Sequence, residues 1–234
     1  MYLGVDEAGK GPVLGPMVAA AVFADPSVLP ADVDDSKRLS PERRETLDAA
    51  IRGIDGVAVG VAFVEPAEID RPDTDMNTLT VRGQARAVCA ALEARETAGE
   101  DGPDGPIRVV ADAGDTSEAR FARRLGEFIE KDVGGTDRPA VDVEAFHGAD
   151  ESDPVVGAAS VVAKVARDAR MAAIDEAYPA YDGVGSGYPS DPTTRSFLRA
   201  YVGDHGAVPD CARRSWATCD DVIAAAEQSG LDEF

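Results

Sequence analysis

With 234 residues, and 44 Asp and Glu against 23 Lys and Arg, the chain carries a formal net charge of −21 at pH 7. Such a length suits one compact α/β domain with an extension, or two small domains sharing an interface, and allows a sizeable core. No apolar run of about 18 residues occurs and the N-terminus goes directly into an apolar segment, so neither a membrane span nor a signal peptide is expected and the protein is read as soluble and cytoplasmic. Cys89, Cys211 and Cys219 form an odd set without paired metal-ligand spacing, which suits free thiols in a reducing compartment.

In chain order, Tyr2 to Asp6 and Met17 to Phe23 are predicted strands joined by a glycine turn. Ser40-Pro41-Glu42 is an N-cap followed by proline at the first helical position, and Leu47 and Ile51 fall on one face of the helix it opens. Val57 to Val64 reads as a third strand, which suggests an antiparallel meander. Asn77 to Glu96 carries Val81, Ala85, Val88 and Leu92 at helical spacing, a stripe read as core. After a Gly- and Pro-rich loop at Gly99 to Pro106 come a strand Ile107 to Asp112, a helix capped by Thr116-Ser117-Glu118, and a strand Val141 to Ala145, an order that implies parallel pairing. Asp153-Pro154 begins a helix running to Ala177, and the last third is helix and loop without internal repeats.

The segment Gly4-Val5-Asp6-Glu7-Ala8-Gly9-Lys10-Gly11-Pro12 sets two adjacent carboxylates against a glycine turn. Acids hold hard divalent cations through oxygen, and glycines let backbone N–H groups approach a ligand. A hairpin loop with two solvated acids is the alternative.

Through Gly15-Pro16 this segment resembles the signature of type 2 ribonuclease H, ribonuclease HII. Asp35-Ser36-Lys37-Arg38-Leu39-Ser40, Val109 to Asp115, and His147 to Asp150 followed by Val156 to Asp168 match the family in the same order. Gly185 to Pro192 and Arg214 to Thr218 extend the resemblance over nearly the whole chain. It implies a ribonuclease H-like α/β fold: a five-stranded mixed sheet flanked by helices, with a helical C-terminal extension. Residues 1–190 would form the catalytic domain, 191–226 the extension that binds substrate, and 227–234 a tail.

The resemblance assigns catalysis and metal binding to Asp6, Glu7, Asp112 and Asp150, with Mg²⁺ or Mn²⁺ in a two-metal site. Asp115 competes with Asp112, and Asp153, a natural N-cap, competes with Asp150. Gly9, Lys10 and Gly11 with Tyr188 are implied to recognise a ribose 2′-hydroxyl beside the scissile phosphate. Many relatives carry Arg where this chain has Lys10, which keeps the charge and loses a two-pronged grip. Ser36, Lys37, Lys164 and Arg167 fall in matched segments as phosphate contacts, with surface ion pairs as the alternative. His147 either tunes a metal ligand or satisfies a backbone group, and Trp216 is expected to anchor core. Gln228, Leu231 and Phe234 have the spacing of peptides that dock on the sliding clamp PCNA.

The expected activity is metal-dependent cleavage of RNA in RNA–DNA hybrids and at ribonucleotides embedded in DNA, by a monomer. The competing readings are a non-catalytic hybrid-binding protein and a DNA-only nuclease on the same fold. A charge of −21 opposes nucleic-acid binding. With only four lysines and acids spread along the chain, however, the composition matches proteins of salt-accumulating halophiles, whose molar salt screens distant repulsion.

Overall fold

The computed structural model describes residues 1–33, 39–99, 105–132 and 140–231; Ser36, Lys37 and Phe234 lie outside the described residues. Five strands form one mixed sheet: β1 (Tyr2–Ala8), β2 (Met17–Ala24), β3 (Ala58–Val64), β4 (Ile107–Asp112) and β5 (Val141–Phe146), in the order β3-β2-β1-β4-β5. β1 pairs antiparallel with β2 and parallel with β4, and β4 pairs parallel with β5. The helices are α1 (Pro41–Arg52), α2 (Pro66–Ile69), α3 (Met76–Thr97), α4 (Glu118–Asp132), α5 (Pro154–Ala177), α6 (Pro192–His205) and α7 (Ala217–Leu231). The five-stranded mixed sheet, flanking helices and helical C-terminal part agree with the expected fold.

Several helix starts have visible chemical causes. Ser40 Oγ accepts from Arg43 N at the head of α1, with Pro41 at the first position. Asp153 Oδ1 accepts from Val155 N and Val156 N at 2.9 and 3.1 Å, and Tyr2 donates its hydroxyl to Asp153 Oδ2 at 2.8 Å. Asp153 is therefore the cap of α5, tied to the first strand. Asp191 caps α6 through Thr193 N at 2.9 Å.

Contacts divide the chain into two compact units that interleave in sequence. The first comprises Met1–Ala8, Val18–Phe63 and Met76–Ala166 and contains the sheet. Strand alternation sorts its side chains to two faces. Leu3, Val5, Ala19, Ala21, Val109 and Ala111 pack with Val81, Ala85 and Val88 of α3 and Phe121 and Leu125 of α4. Ala20, Val22 and Ala24 pack instead with Leu47 and Ile51 of α1 and Val155, Ala159 and Val162 of α5. Covered on both faces, β2 is buried at every residue, which explains its unbroken apolar sequence.

The second unit comprises Gly9–Met17, Val64–Asp75 and Arg167–Phe234. Its core joins Val13 and Leu14 to Met171, Phe197, Leu198 and Val202. Leu14 bridges to Ala212, and Val13 N and Leu14 N both donate to Gly187 O.

Two expectations are refined. β1 continues to Ala8, because its pairing with β2 runs to Ala8↔Val18, so Asp6 and Glu7 lie inside the strand. α7 continues to Leu231, so Gln228 and Leu231 extend a helix already under way. Among the described residues no helix is long and apolar enough to cross a membrane.

Candidate active site

The register of the first unit explains how its acids come together. β1 and β4 run parallel with Val5 opposite Ala111, so Asp6 and Asp112 are the next lateral pair on one face at the carboxyl ends of their strands. Glu7, the adjacent residue, projects to the other face. Each carboxylate accordingly meets a different helix. Toward α5, Lys164 donates to Ser160 Oγ, and both residues act on Asp6. Toward α3, Gln84 Nε2 donates to Glu7 Oε2 at 2.7 Å.

Asp6 is 4% exposed. Burial above all, and then the charge of Glu7, hold its carboxyl well above the usual range; Lys164 and Ser160 oppose the shift, and Asp112 adds to it. Asp6 Oδ1 accepts from Glu7 N at 2.7 Å, and Asp112 Oδ1 accepts from Ala149 N at 2.9 Å. The second bond places the turn Ala149–Glu151, and with it buried Asp150, beside the end of β4. Asp6, Glu7 and Asp112 thus influence one another, and Asp150 follows the residue bound to Asp112. Among the described residues no three His, Cys, Asp or Glu side chains close around a common point as a metal-holding set. Each of Asp6, Glu7 and Asp112 accepts from a neutral N–H, which leaves the charge of the acids uncancelled by these bonds.

Asp115, the rival of Asp112, is committed elsewhere. Arg120 grips it with Nε at 3.0 Å and Nη2 at 2.5 Å, and Thr116 N donates at 2.6 Å. The Arg120 bonds, aided by Thr116, pull its carboxyl down to about 2. An acid depressed in the native state stabilises the fold above its unfolded pKa of about 4 and loses that contribution as pH falls through about 2. Asp115→Asn should therefore melt below wild type at pH 5 to 7 and converge with it toward pH 2, as read by thermal unfolding. His147 places Nε2 2.7 Å from Asp115 O and Nδ1 2.9 Å from Glu118 Oε1, so both ring nitrogens face acceptors. The hydrogen bond with the Asp115 carbonyl, and then the Glu118 charge, raise its imidazole above the usual histidine range, and the ring links the end of β5 to the start of α4.

The second unit holds the glycine turn. Gly9 has φ +83°, and a Cβ there would come within 2.3 Å of Arg167 Nε, so both conformation and space demand glycine. Gly11 differs: it is exposed, and an added Cβ would meet only Tyr188 Cε1, at 3.9 Å. Tyr188 is 42% exposed, with the Arg167 guanidinium 5.5 Å from its ring centroid. Arg167 is buried, gives Nη2 to Ser186 O at 3.1 Å, and among the described residues its Nε has no hydrogen-bond partner. Lys164 and Arg167, three apart on α5, have separate surroundings, the first among the acids and the second under the turn.

Arg213 is a brace of the glycine turn that sequence reasoning missed. Fully buried, it donates to Gly9 O at 2.6 Å, Lys10 O at 2.8 Å and Gly15 O at 3.0 Å. Burial and the charge of Arg167 lower its pKa to about 9. Trp216 Nε1 donates to Gly11 O at 3.2 Å, so this half-buried ring braces the turn as well as packing in the core. In planar trans peptides C=O and N–H point opposite ways. With the carbonyls of Gly9 and Lys10 drawn toward Arg213, the N–H groups of Lys10 and Gly11 project away from it. Arg213→Met keeps the stem but leaves three carbonyls unpaired, at about 1–3 kcal/mol each, offset in part by loss of a buried charge. A net destabilisation of about 3 kcal/mol is expected by denaturant unfolding.

Gln228 is exposed on α7, and Leu231 is the last residue of that helix.

The family model for Ribonuclease HII matches residues 3–219. Ribonuclease HII of Haloarcula marismortui is 55% identical over 234 residues, covering 100% of both chains, and that of Halobacterium salinarum 53% over 231 residues, covering 99% of this chain and 98% of the other. These relatives come from halophilic archaea, in keeping with the acidic composition. Among solved structures, ribonuclease H2 from Pyrococcus horikoshii OT3 superposes with a TM-score of 0.78 at 31% identity, covering 97% of this chain and 98% of that one. The ribonuclease HII of Archaeoglobus fulgidus, solved in a complex with PCNA, gives 0.75 at 33% identity, covering 95% and 96%. The chain belongs to the ribonuclease HII family and is a ribonuclease H, an endonuclease acting on RNA–DNA hybrids.

Proposed function

We propose that the protein is a metal-dependent endonuclease that also incises duplex DNA on the 5′ side of an embedded ribonucleotide, leaving 3′-hydroxyl and 5′-phosphate ends, in RNA primer removal and ribonucleotide excision repair. The observation that carries this reading is buried Asp6, its carboxyl raised by burial and by Glu7 and Asp112 at the ends of two parallel strands. A divalent cation would relieve both the burial penalty and the repulsion. The all-oxygen donor set fits Mg²⁺ or Mn²⁺, and Asp6, Glu7, Asp112 and Asp150 would hold it, with two ions expected. When bound, the metal supplies an activated water and stabilises charge on the leaving oxygen.

The chain's own groups do the rest. The outward N–H groups of Lys10 and Gly11 donate to the ribose 2′-hydroxyl and the adjoining phosphate, while Tyr188 offers an exposed ring for the sugar. Lys164 balances charge among the acids, and Arg167 fixes Tyr188 and the turn while adding positive field for a phosphate. Ser36 and Lys37 are assigned to phosphate contacts by resemblance. Presence of all four acids argues against a purely hybrid-binding role.

The test is a DNA duplex with one ribonucleotide, beside an all-DNA duplex and an RNA–DNA hybrid, in molar KCl with Mn²⁺ or Mg²⁺. A cut 5′ of the ribonucleotide is expected. Cleavage of the all-DNA duplex would instead favour a DNA nuclease, and no cutting by folded protein would leave a binding role. Gly11→Ala provides a sharper check. Its Cβ has room within the protein, so folding should be unchanged. Cleavage at the single ribonucleotide should nevertheless fall by about 10- to 100-fold, because the added methyl holds the sugar off the backbone N–H groups and weakens one or two hydrogen bonds.

The C-terminus is read as a segment docking on PCNA, supported by exposed Gln228 and by the complex formed by the Archaeoglobus relative. Failure of the intact protein to bind PCNA, under conditions where a known clamp ligand binds, would remove that reading. Free Cys89, Cys211 and Cys219 support a cytoplasmic setting, and a monomer is expected by light scattering.

A further inference from the structure

Gln84 is 0% exposed on α3, a helix whose neighbouring inward positions are Val81, Ala85 and Val88. Its Nε2 donates to Glu7 Oε2 at 2.7 Å and to Asp112 O at 3.2 Å. Two acceptors at that nitrogen fix which way the amide faces. Oε1, turned away, is buried and has no hydrogen-bond partner among the described residues. An unpaired buried oxygen costs about 1–3 kcal/mol, which an apolar residue in this core would avoid. Packing alone therefore does not account for glutamine here.

We propose that Gln84 is a positioning residue that sets the Glu7 carboxylate for metal binding by tying it to the end of β4. Two properties of the contact support this role. The donor is neutral, so it orients Glu7 without cancelling the charge a cation needs. It also links, through one rigid amide, the side chain of one acid to the backbone of another, Asp112. A glutamate otherwise loses up to about 2 kcal/mol of rotational freedom when it is fixed, and this bond removes part of that freedom beforehand.

The inference rests on the metal-site reading above, and the experiment separates the two. Mn²⁺ binding is measured by calorimetry on the full chain in 2 M KCl, without nucleic acid, for wild type, Gln84→Met and Gln84→Ala, together with thermal unfolding. Met fills the space and Ala leaves a cavity, so the two differ in stability. Both should lose Mn²⁺ affinity by a similar factor, about 10- to 100-fold. The Mn²⁺ concentration giving half-maximal cleavage of the single-ribonucleotide duplex should rise by the same factor, with the rate at saturating Mn²⁺ within about threefold of wild type. Wild-type affinity in both variants, or a loss confined to the less stable Ala variant, overturns the role of Gln84 and leaves the metal site standing. Absence of Mn²⁺ binding by wild type overturns the metal site and this proposal together.

Discussion

Asp6→Asn should reduce hybrid cleavage by about 10³-fold or more while leaving the protein folded and at least as stable. The activity loss follows if Asp6 holds the metal, whose stabilisation of the transition state amounts to several kcal/mol at about 1.4 kcal/mol per decade. The stability outcome follows from burial and repulsion. The Asp6 carboxylate is confined beside Glu7 and Asp112, and burial is the main reason its carboxyl resists ionising. Asparagine keeps the shape and removes the charge. In EDTA the variant should therefore melt at or above the wild-type temperature, whereas a fall of many degrees would show that Asp6 is needed for packing. Single-turnover cleavage and calorimetry on the same preparation read both outcomes. Retained cleavage would remove Asp6 from the metal site.

A second large effect is expected from salt. At about 20 Å, two unit charges in water repel by about 0.2 kcal/mol, and a net charge of −21 multiplies that pair term many times over. Compaction brings these charges together, so the folded state bears more of the repulsion than the unfolded one. Screening length falls from about 30 Å at 0.01 M to about 3 Å at 1 M. Raising KCl from 0.1 M to 2 M should recover several kcal/mol, which for a chain of this size is about 10 °C or more in Tm. Hybrid binding should strengthen over part of the same range, because net repulsion between acidic protein and phosphate is screened. This trend reverses that of a basic nucleic-acid protein, which loses affinity as counterions accumulate. Thermal unfolding and hybrid affinity followed along one KCl series measure both; undiminished stability and activity at 0.1 M would refute the role of the acidic surface.

The reach of the sequence varied with the range of the interaction involved. Strand and helix positions were legible because alternation, caps and apolar spacing are local: Pro41 after Ser40 and Pro154 after Asp153 marked helix starts that the structure retains. The end of β1 was misjudged by two residues because it depends on pairing as far as Val18, a partner that local pattern does not specify. The motif Asp6-Glu7 pointed to metal chemistry but not to the geometry of its side chains. Strand alternation sends the two acids to opposite faces, and the partners each meets, Ser160 and Lys164 or Gln84, come from different helices. Asp112 and Asp150 were preferred to Asp115 and Asp153 from strand position and motif, whereas the partners of the two rivals, Arg120 and the head of α5, are visible only in the structure.

By itself, the sequence determined the family, the order of strands and helices, the acidic surface and the residue types available for oxygen ligation, since each is written in composition or in short ordered motifs. Only the tertiary structure decided that Gln84, on a helix read as core, meets Glu7, and that Arg213, some 200 residues from the turn, holds the carbonyls of Gly9, Lys10 and Gly15. The reason is that a buried polar side chain is explained by the acceptor it meets, and in both cases that acceptor is brought to it by chain folding from far away in sequence.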